Sequence, residues 1–158
     1  MNNTYLWEGL PVTAGVICTF MERMDPAAID RPTHPDRFSP REVIAHFADW
    51  EPIVLERLQR AAAHPGSSVE AYDEGELAER NAYSQSDWRE QLRSFEKARK
   101  ETITFLKGLS EEDFDKEFVH PERGNVTIED QAAMMLGHDQ YHLDQLSEVL
   151  ERSRVGAA

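Results

Sequence analysis

Apolar positions recur at helical spacing in four long stretches of the chain. The first runs from about Trp7 to Met24, where Leu10, Ala14, Ile17 and Met21 mark one face, with Val16 and Phe20 beside them. Pro11 lacks an amide donor, so the regular part of this helix is expected to begin near it. Asp25-Pro26 ends the run, and Pro26, Pro32 and Pro35 mark an irregular connection. The second stretch has the clearest start signal. Ser39-Pro40-Arg41-Glu42 combines an N-cap serine, a proline at the first helical position and a glutamate able to close a capping box. Val43, Phe47, Trp50, Val54, Leu58 and Ala61 follow on one face, and Pro52 inside this stretch predicts a bend.

His64-Pro65-Gly66 closes the second helix, and an acidic connection from about Val69 to Ser86 holds a candidate short helix at Glu74 to Tyr83. Its length predicts that part of it packs over a site. The third long helix starts near Ser86-Asp87, directs Trp88, Leu92, Phe95, Ile103 and Leu106 inward, and has Gly108 as candidate C-cap. Glu117 to Asn125 allows a loop or small hairpin but no sizeable sheet. The last helix opens at Thr127, with Asp130 as capping partner, and Ile128, Ala132, Met135, Leu143, Leu146 and Leu150 draw its stripe. The pattern predicts an all-α four-helix bundle, residues 1–158 forming one domain, with a long, partly structured connection after helix two.

Composition narrows the class. With 158 residues, 40% hydrophobic and 30% charged, the chain has enough apolar material for a full core. The formal net charge of -13 would repel a phosphate backbone or an anionic bilayer, so neither nucleic acid nor membrane is an expected partner. No apolar run approaches the roughly 20 residues of a membrane span, and Met1-Asn2-Asn3-Thr4 lacks the features of a signal peptide. A single cysteine, Cys18, excludes an internal disulfide and makes the cytoplasm the expected location. Cys18 lies in an apolar run and reads as a core residue, with a reactive thiol as the alternative.

The candidate chemistry lies in Gly137-His138-Asp139-Gln140-Tyr141-His142-Leu143. Histidines four apart lie about 40° apart around a helix axis, one turn above the other, over one spot suited to a divalent metal. A third ligand is needed, and His46 lies at the edge of a core face on another long helix. Three neutral imidazoles leave a bound cation's charge uncompensated and a position open. Asp49, one turn after His46, is a candidate general base or hydrogen-bond acceptor, or else a surface carboxylate. Asp139 falls near the centre of the apolar stripe and needs a partner if buried. His34, His64 and His120 lie beside prolines and read as solvated, and Tyr141 points away from the histidine pair. HExxH, CxxC, phosphate-binding glycine loops and a nucleophile elbow are missing.

His46 with Asp49-Trp50-Glu51, and His138-Asp139-Gln140-Tyr141-His142-Leu143-Asp144-Gln145-Leu146, resemble the DinB/YfiT-like superfamily. The resemblance extends over nearly the whole chain. It implies an up-down-down-up bundle, often a homodimer, with zinc or nickel held by His46, His138 and His142. It also implies relatives such as bacillithiol S-transferases and mycothiol-dependent maleylpyruvate isomerase, as well as metal-dependent hydrolases. The leading expectation is a metal-dependent transferase that activates a low-molecular-weight thiol toward a small-molecule substrate, with Asp49 accepting a proton. Arg41, Arg57 and Arg123 are candidate cations for an anionic thiol. The alternatives are hydrolysis by activated water and a non-enzymatic, metal-stabilised bundle that binds a ligand or partner.

Overall fold

Helix α1 (Thr4–Arg23) begins well before Pro11 and runs through it. The expectation that the regular helix starts at this proline is thus corrected. Leu6 and Leu10 bury almost completely one turn apart, and each such side chain contributes about 1.5–3 kcal/mol on leaving water, enough to hold the turns before the proline. The structure is a computed structural model and describes residues 4–155, so the reading of Met1-Asn2-Asn3 as no leader lies outside it.

Helix α2 (Pro40–Ala63) opens on the reciprocal cap foreseen for it: the Ser39 amide donates to the Glu42 carboxylate at 2.8 Å and the Glu42 amide to the Ser39 hydroxyl at 3.4 Å. It continues through the exposed Pro52. The connection that follows contains strand β1 (Ser67–Ser68), helix α3 (Glu74–Arg80) and a 3-10 turn at Tyr83–Gln85. Ala82, at φ 48°, takes the left-handed conformation that turns Tyr83 into the interior against Ala45 and Leu77. Helix α4 (Trp88–Lys107) is capped by Asp87, whose carboxylate accepts from the Arg89 and Glu90 amides. Gly108 does follow it, but at φ -83° it uses none of glycine's special freedom.

Strands β2 (Glu117–His120) and β3 (Gly124–Thr127) form the hairpin, with Gly124 at φ 73° supplying the left-handed turn position. β1 adds to β2 in parallel, Ser67 opposite Phe118, making a three-stranded sheet that joins the two long connections. Helix α5 (Ile128–Val155) starts with Thr127 and Asp130 exchanging amide bonds at 3.1 and 3.0 Å.

Two apolar clusters fix how the helices run. One gathers Ile17 and Met21, late in α1, with Val43 and Phe47 early in α2, Leu92 and Phe95 early in α4, and Leu146 and Val149 late in α5. The other gathers Leu6 and Leu10, early in α1, with Val54 and Leu58 from later in α2, Leu106 at the end of α4, and Ile128 and Ala132 at the start of α5. Helices α2 and α4 therefore run one way and α1 and α5 the other, which is the up-down-down-up order. Among the described residues no helix is long and apolar enough to cross a membrane. Between the two apolar halves lies a band of buried polar side chains.

Candidate metal centre

His46 projects from the turn of α2 that separates the two apolar halves and is fully buried. His138 and His142 project from the facing stretch of α5, one half-buried and one buried. Their Nε2 atoms converge: His46 lies 2.8 Å and His142 3.2 Å from that of His138. Three donor atoms from these residues fall within 4.8 Å of one another. The three histidines singled out in the sequence thus converge.

Hydrogen bonding settles which nitrogen of His142 faces the cluster. The carbonyl of Phe38 can only accept, so the Gln145 amide nitrogen, 2.5 Å away, must face it. That turns the Gln145 oxygen toward His142 Nδ1 at 3.0 Å and requires a proton on Nδ1. The Nε2 lone pair of His142 is thereby left facing the other two rings. Such an outer hydrogen bond is the usual device that orients a metal-binding imidazole.

The rings are held in an apolar setting. Trp50 stacks on His46 at 5.7 Å, and the buried Phe47 packs edge-on against His138 and His142 at 5.2 and 5.1 Å. Burial, with the neighbouring imidazoles adding to it, pushes His46 down to about 2. Burial likewise pushes His138 and His142 down to about 4. All three are neutral near pH 7, the state in which imidazole donates a lone pair.

These residues fit a divalent cation. Zinc–nitrogen bonds of about 2.0–2.1 Å in a tetrahedron separate the nitrogens by about 3.3 Å, matching the 3.2 Å between His138 and His142 and somewhat wider than the 2.8 Å between His46 and His138. With no proton on His142 Nε2, the three crowded Nε2 atoms satisfy one another only in part, whereas a cation takes all three lone pairs.

Behind α5 lies a second buried group. Arg99 of α4 donates in bidentate fashion to Asp139, at 2.7 and 2.9 Å, and through Nε to Glu51 of α2 at 2.8 Å. Thr13 of α1 also donates to Asp139, so each long helix contributes one member. Burial opposes the charge on Arg99, but these two carboxyl partners outweigh it and raise its pKa above the usual range. The partner demanded for a buried Asp139 is thus Arg99.

Sequence reasoning missed Arg99 and Thr13, and it quoted Glu51 and Gln145 only within the family-like motifs, without a role. Arg99 had a signal, since it continues the stripe Leu92, Phe95, Thr102 and Leu106, all buried. Glu51 similarly lies one turn beyond Phe47 on the inward face of α2.

Asp49 does not join the histidines. It is half-buried, and its carboxylate accepts from Asn81 Nδ2, tying α2 to the segment after α3. His120 departs from its expected solvated place: at the end of β2 it is buried, and its Nδ1 accepts from the Glu122 amide at 3.2 Å. Strand pairing draws it inward where its proline neighbour suggested an open loop. His34 and His64 are exposed, as read. Tyr141, expected to point away from the histidine pair, is 52% exposed but sets its ring edge-on to His142 at 5.0 Å, under the guanidinium of Arg37. Arg41 is bound to Asp30 and to the Ser86 carbonyl. Arg57 and Arg123 instead line a cavity of about 240 Å³ that reaches His138, with Trp50, Glu74 and Gln131 in its wall.

The DinB superfamily profile matches residues 16–146, a span that includes all three histidines. The chain belongs to the DinB superfamily. Two relatives carry the name "Putative metal-dependent hydrolase". The one from Oceanobacillus iheyensis is 30% identical over 112 residues, or 71% of this chain and 64% of that protein, so the chain spans just under two thirds of its length. The one from Bacillus pumilus is 25% identical over 129 residues, covering 81% of this chain and 73% of that protein. Among solved structures, YfiT from Bacillus subtilis superposes with a TM-score of 0.87 at 19% identity, over 94% of this chain and 85% of its own. The mycothiol-dependent maleylpyruvate isomerase superposes at 0.77 and 13% identity, over 96% and 67%. At those identities the likeness establishes the shared four-helix fold.

Proposed function

We propose that this DinB-family chain is a metal-dependent hydrolase acting on a small molecule, with His46, His138 and His142 as the metal ligands. The observation that carries this reading is the convergence of three neutral, largely buried imidazoles beside a cavity that reaches one of them. A divalent cation held there, zinc or nickel by the family resemblance, supplies a Lewis acid and lowers the pKa of water placed against it. The names of the two relatives support hydrolysis in particular.

The chain's own residues have separable roles. Gln145, fixed by the Phe38 carbonyl, holds the His142 tautomer, while Phe47 and Trp50 keep the rings dry and so strengthen electrostatic interactions at the site. The Arg99 group clamps α5 at the residue next to His138. Asp49, engaged by Asn81, is assigned to holding the α3 segment over α2 rather than to proton transfer.

Activation of a low-molecular-weight thiol is the second reading. Arg57 and Arg123 in the cavity wall favour it, because they offset the acidic surface for an anionic thiol. The experiment that separates the two is an assay of metal-loaded protein on ester, amide and phosphoester substrates, with and without a panel of cellular thiols. Turnover without thiol, abolished in His138→Ala, supports hydrolysis; turnover only with thiol supports transfer; none with either contradicts both.

A further inference from the structure

Among the described residues two arginines, Arg57 and Arg99, are buried, and of the two Arg99 alone makes an ion pair. Arg99, 2% exposed, faces two carboxyl groups. Arg57, 3% exposed, forms no ion pair with a carboxylate among the described residues. Its NH2 donates to the Glu70 carbonyl at 2.6 Å, and its guanidinium lies 5.7 Å from the Trp50 ring and 5.9 Å from that of Tyr72. Burial works against its charge and Arg123 adds to that opposition, together outweighing the support from Tyr72 and Glu56, so its pKa lies below the usual range. With the Glu70 carbonyl as its one protein acceptor, the guanidinium keeps donors free to meet a ligand in the cavities it borders.

The surroundings indicate what that is. Arg57 and Arg123 share the cavity that reaches His138, and Glu74 is the acidic residue in its wall. Within this wall two guanidiniums meet one carboxyl group, while Glu56 and Glu70 line a second cavity that Arg57 also borders. A planar guanidinium fork matches a carboxylate through two parallel hydrogen bonds. The Trp50 ring lies between the two features, stacked on His46 and beneath Arg57.

We infer that Arg57, assisted by Arg123, is a specificity-determining subsite for a carboxylate on the substrate, holding that group in the cavity beside His138. The inference deepens the enzymatic reading and rests on it for calling the ligand a substrate. The subsite itself is a property of the resting protein. A neutral substrate would leave Arg57 without an anionic partner, so the enzyme should select carboxylate-bearing molecules.

The test is an NMR titration of the full chain, zinc-loaded and metal-free, following the Trp50 indole N–H signal in every variant and the Arg57 Nε–H signal where Arg57 is present. The probes are propionate, its neutral isostere propionamide, and inorganic phosphate. The expected result is a saturable shift with propionate in both forms and none with propionamide. Charged hydrogen bonds of this kind make binding roughly tenfold weaker in Arg57→Met. The exposed Arg123→Met variant keeps the fold in view and should weaken propionate binding by a smaller factor. Equal response to propionate and propionamide, a preference for phosphate, or unchanged binding in both variants overturns the inference. Failure of catalysis with the propionate response intact removes the enzymatic reading and leaves the subsite standing.

Discussion

Asp139 meets Arg99 through two hydrogen bonds, 2.7 and 2.9 Å long, in the centre of the bundle. Both side chains are almost wholly buried. Asp139 directly follows His138, so the pair anchors to α4 the turn of α5 that carries two of the three converging histidines. Replacing Asp139 with Ala leaves Arg99 buried with only Glu51 opposite it. Breaking a buried pair from one side costs about 3–5 kcal/mol, and that loss should appear in denaturant unfolding. A change below about 1 kcal/mol would show that the pair is not what holds α5 in place.

Gln145 should matter to the metal more than to the fold. Gln145→Leu removes the acceptor that keeps the His142 proton on Nδ1, so metal affinity is expected to fall about 10–100-fold. Competition with a chromophoric chelator measures this directly. Wild-type affinity in a folded Gln145→Leu protein would mean that ring packing alone orients His142.

The histidines make stability and metal binding respond to acid in a defined direction. In the unfolded chain they take up protons near the ordinary value of about 6.5, whereas in the folded chain burial lowers His138 and His142 to about 4 and His46 to about 2. The unfolded state therefore binds more protons between those values. The metal-free protein should lose stability as pH falls from about 6.5 toward 4. Because folded His138 and His142 stay neutral until about pH 4, proton competition for the metal should be weak above about 5. Unfolding midpoints and metal retention after dialysis at stepped pH check both. Metal loss centred near 6.5 would indicate solvated imidazoles.

Cys18 is buried, and that burial, with Glu96 nearby, pushes its thiol up to about 12. It should react with a thiol reagent only on unfolding. Rapid labelling of the native protein would contradict this placement.

Much of this molecule was legible in the sequence because its signals are local. The Ser39–Glu42 and Thr127–Asp130 caps depend on residues three apart, and both form as read. The His138/His142 pair was visible for the same reason, and His46 was found through the edge of a core stripe. Relations between elements were harder to see. A charged residue on an apolar stripe reads as an interruption until its partners on other helices are known, which hid Arg99 and Glu51. His120 went inward because β2 pairs with both β1 and β3, a pairing that its neighbouring proline gave no hint of. The position of Arg57 beside the His138 cavity depends on how the connection after α2 folds back, and no local pattern encodes that.

The proposed function stands on three histidines from two helices holding one divalent metal. Elemental analysis of protein purified without a histidine tag tests it most directly, on the parent and on the single variants His46→Ala, His138→Ala and His142→Ala. The parent should carry about one equivalent of zinc or nickel per chain, and each folded variant should lose nearly all of it. A parent without stoichiometric metal, even after exposure to both ions, or variants that retain it, would contradict the account.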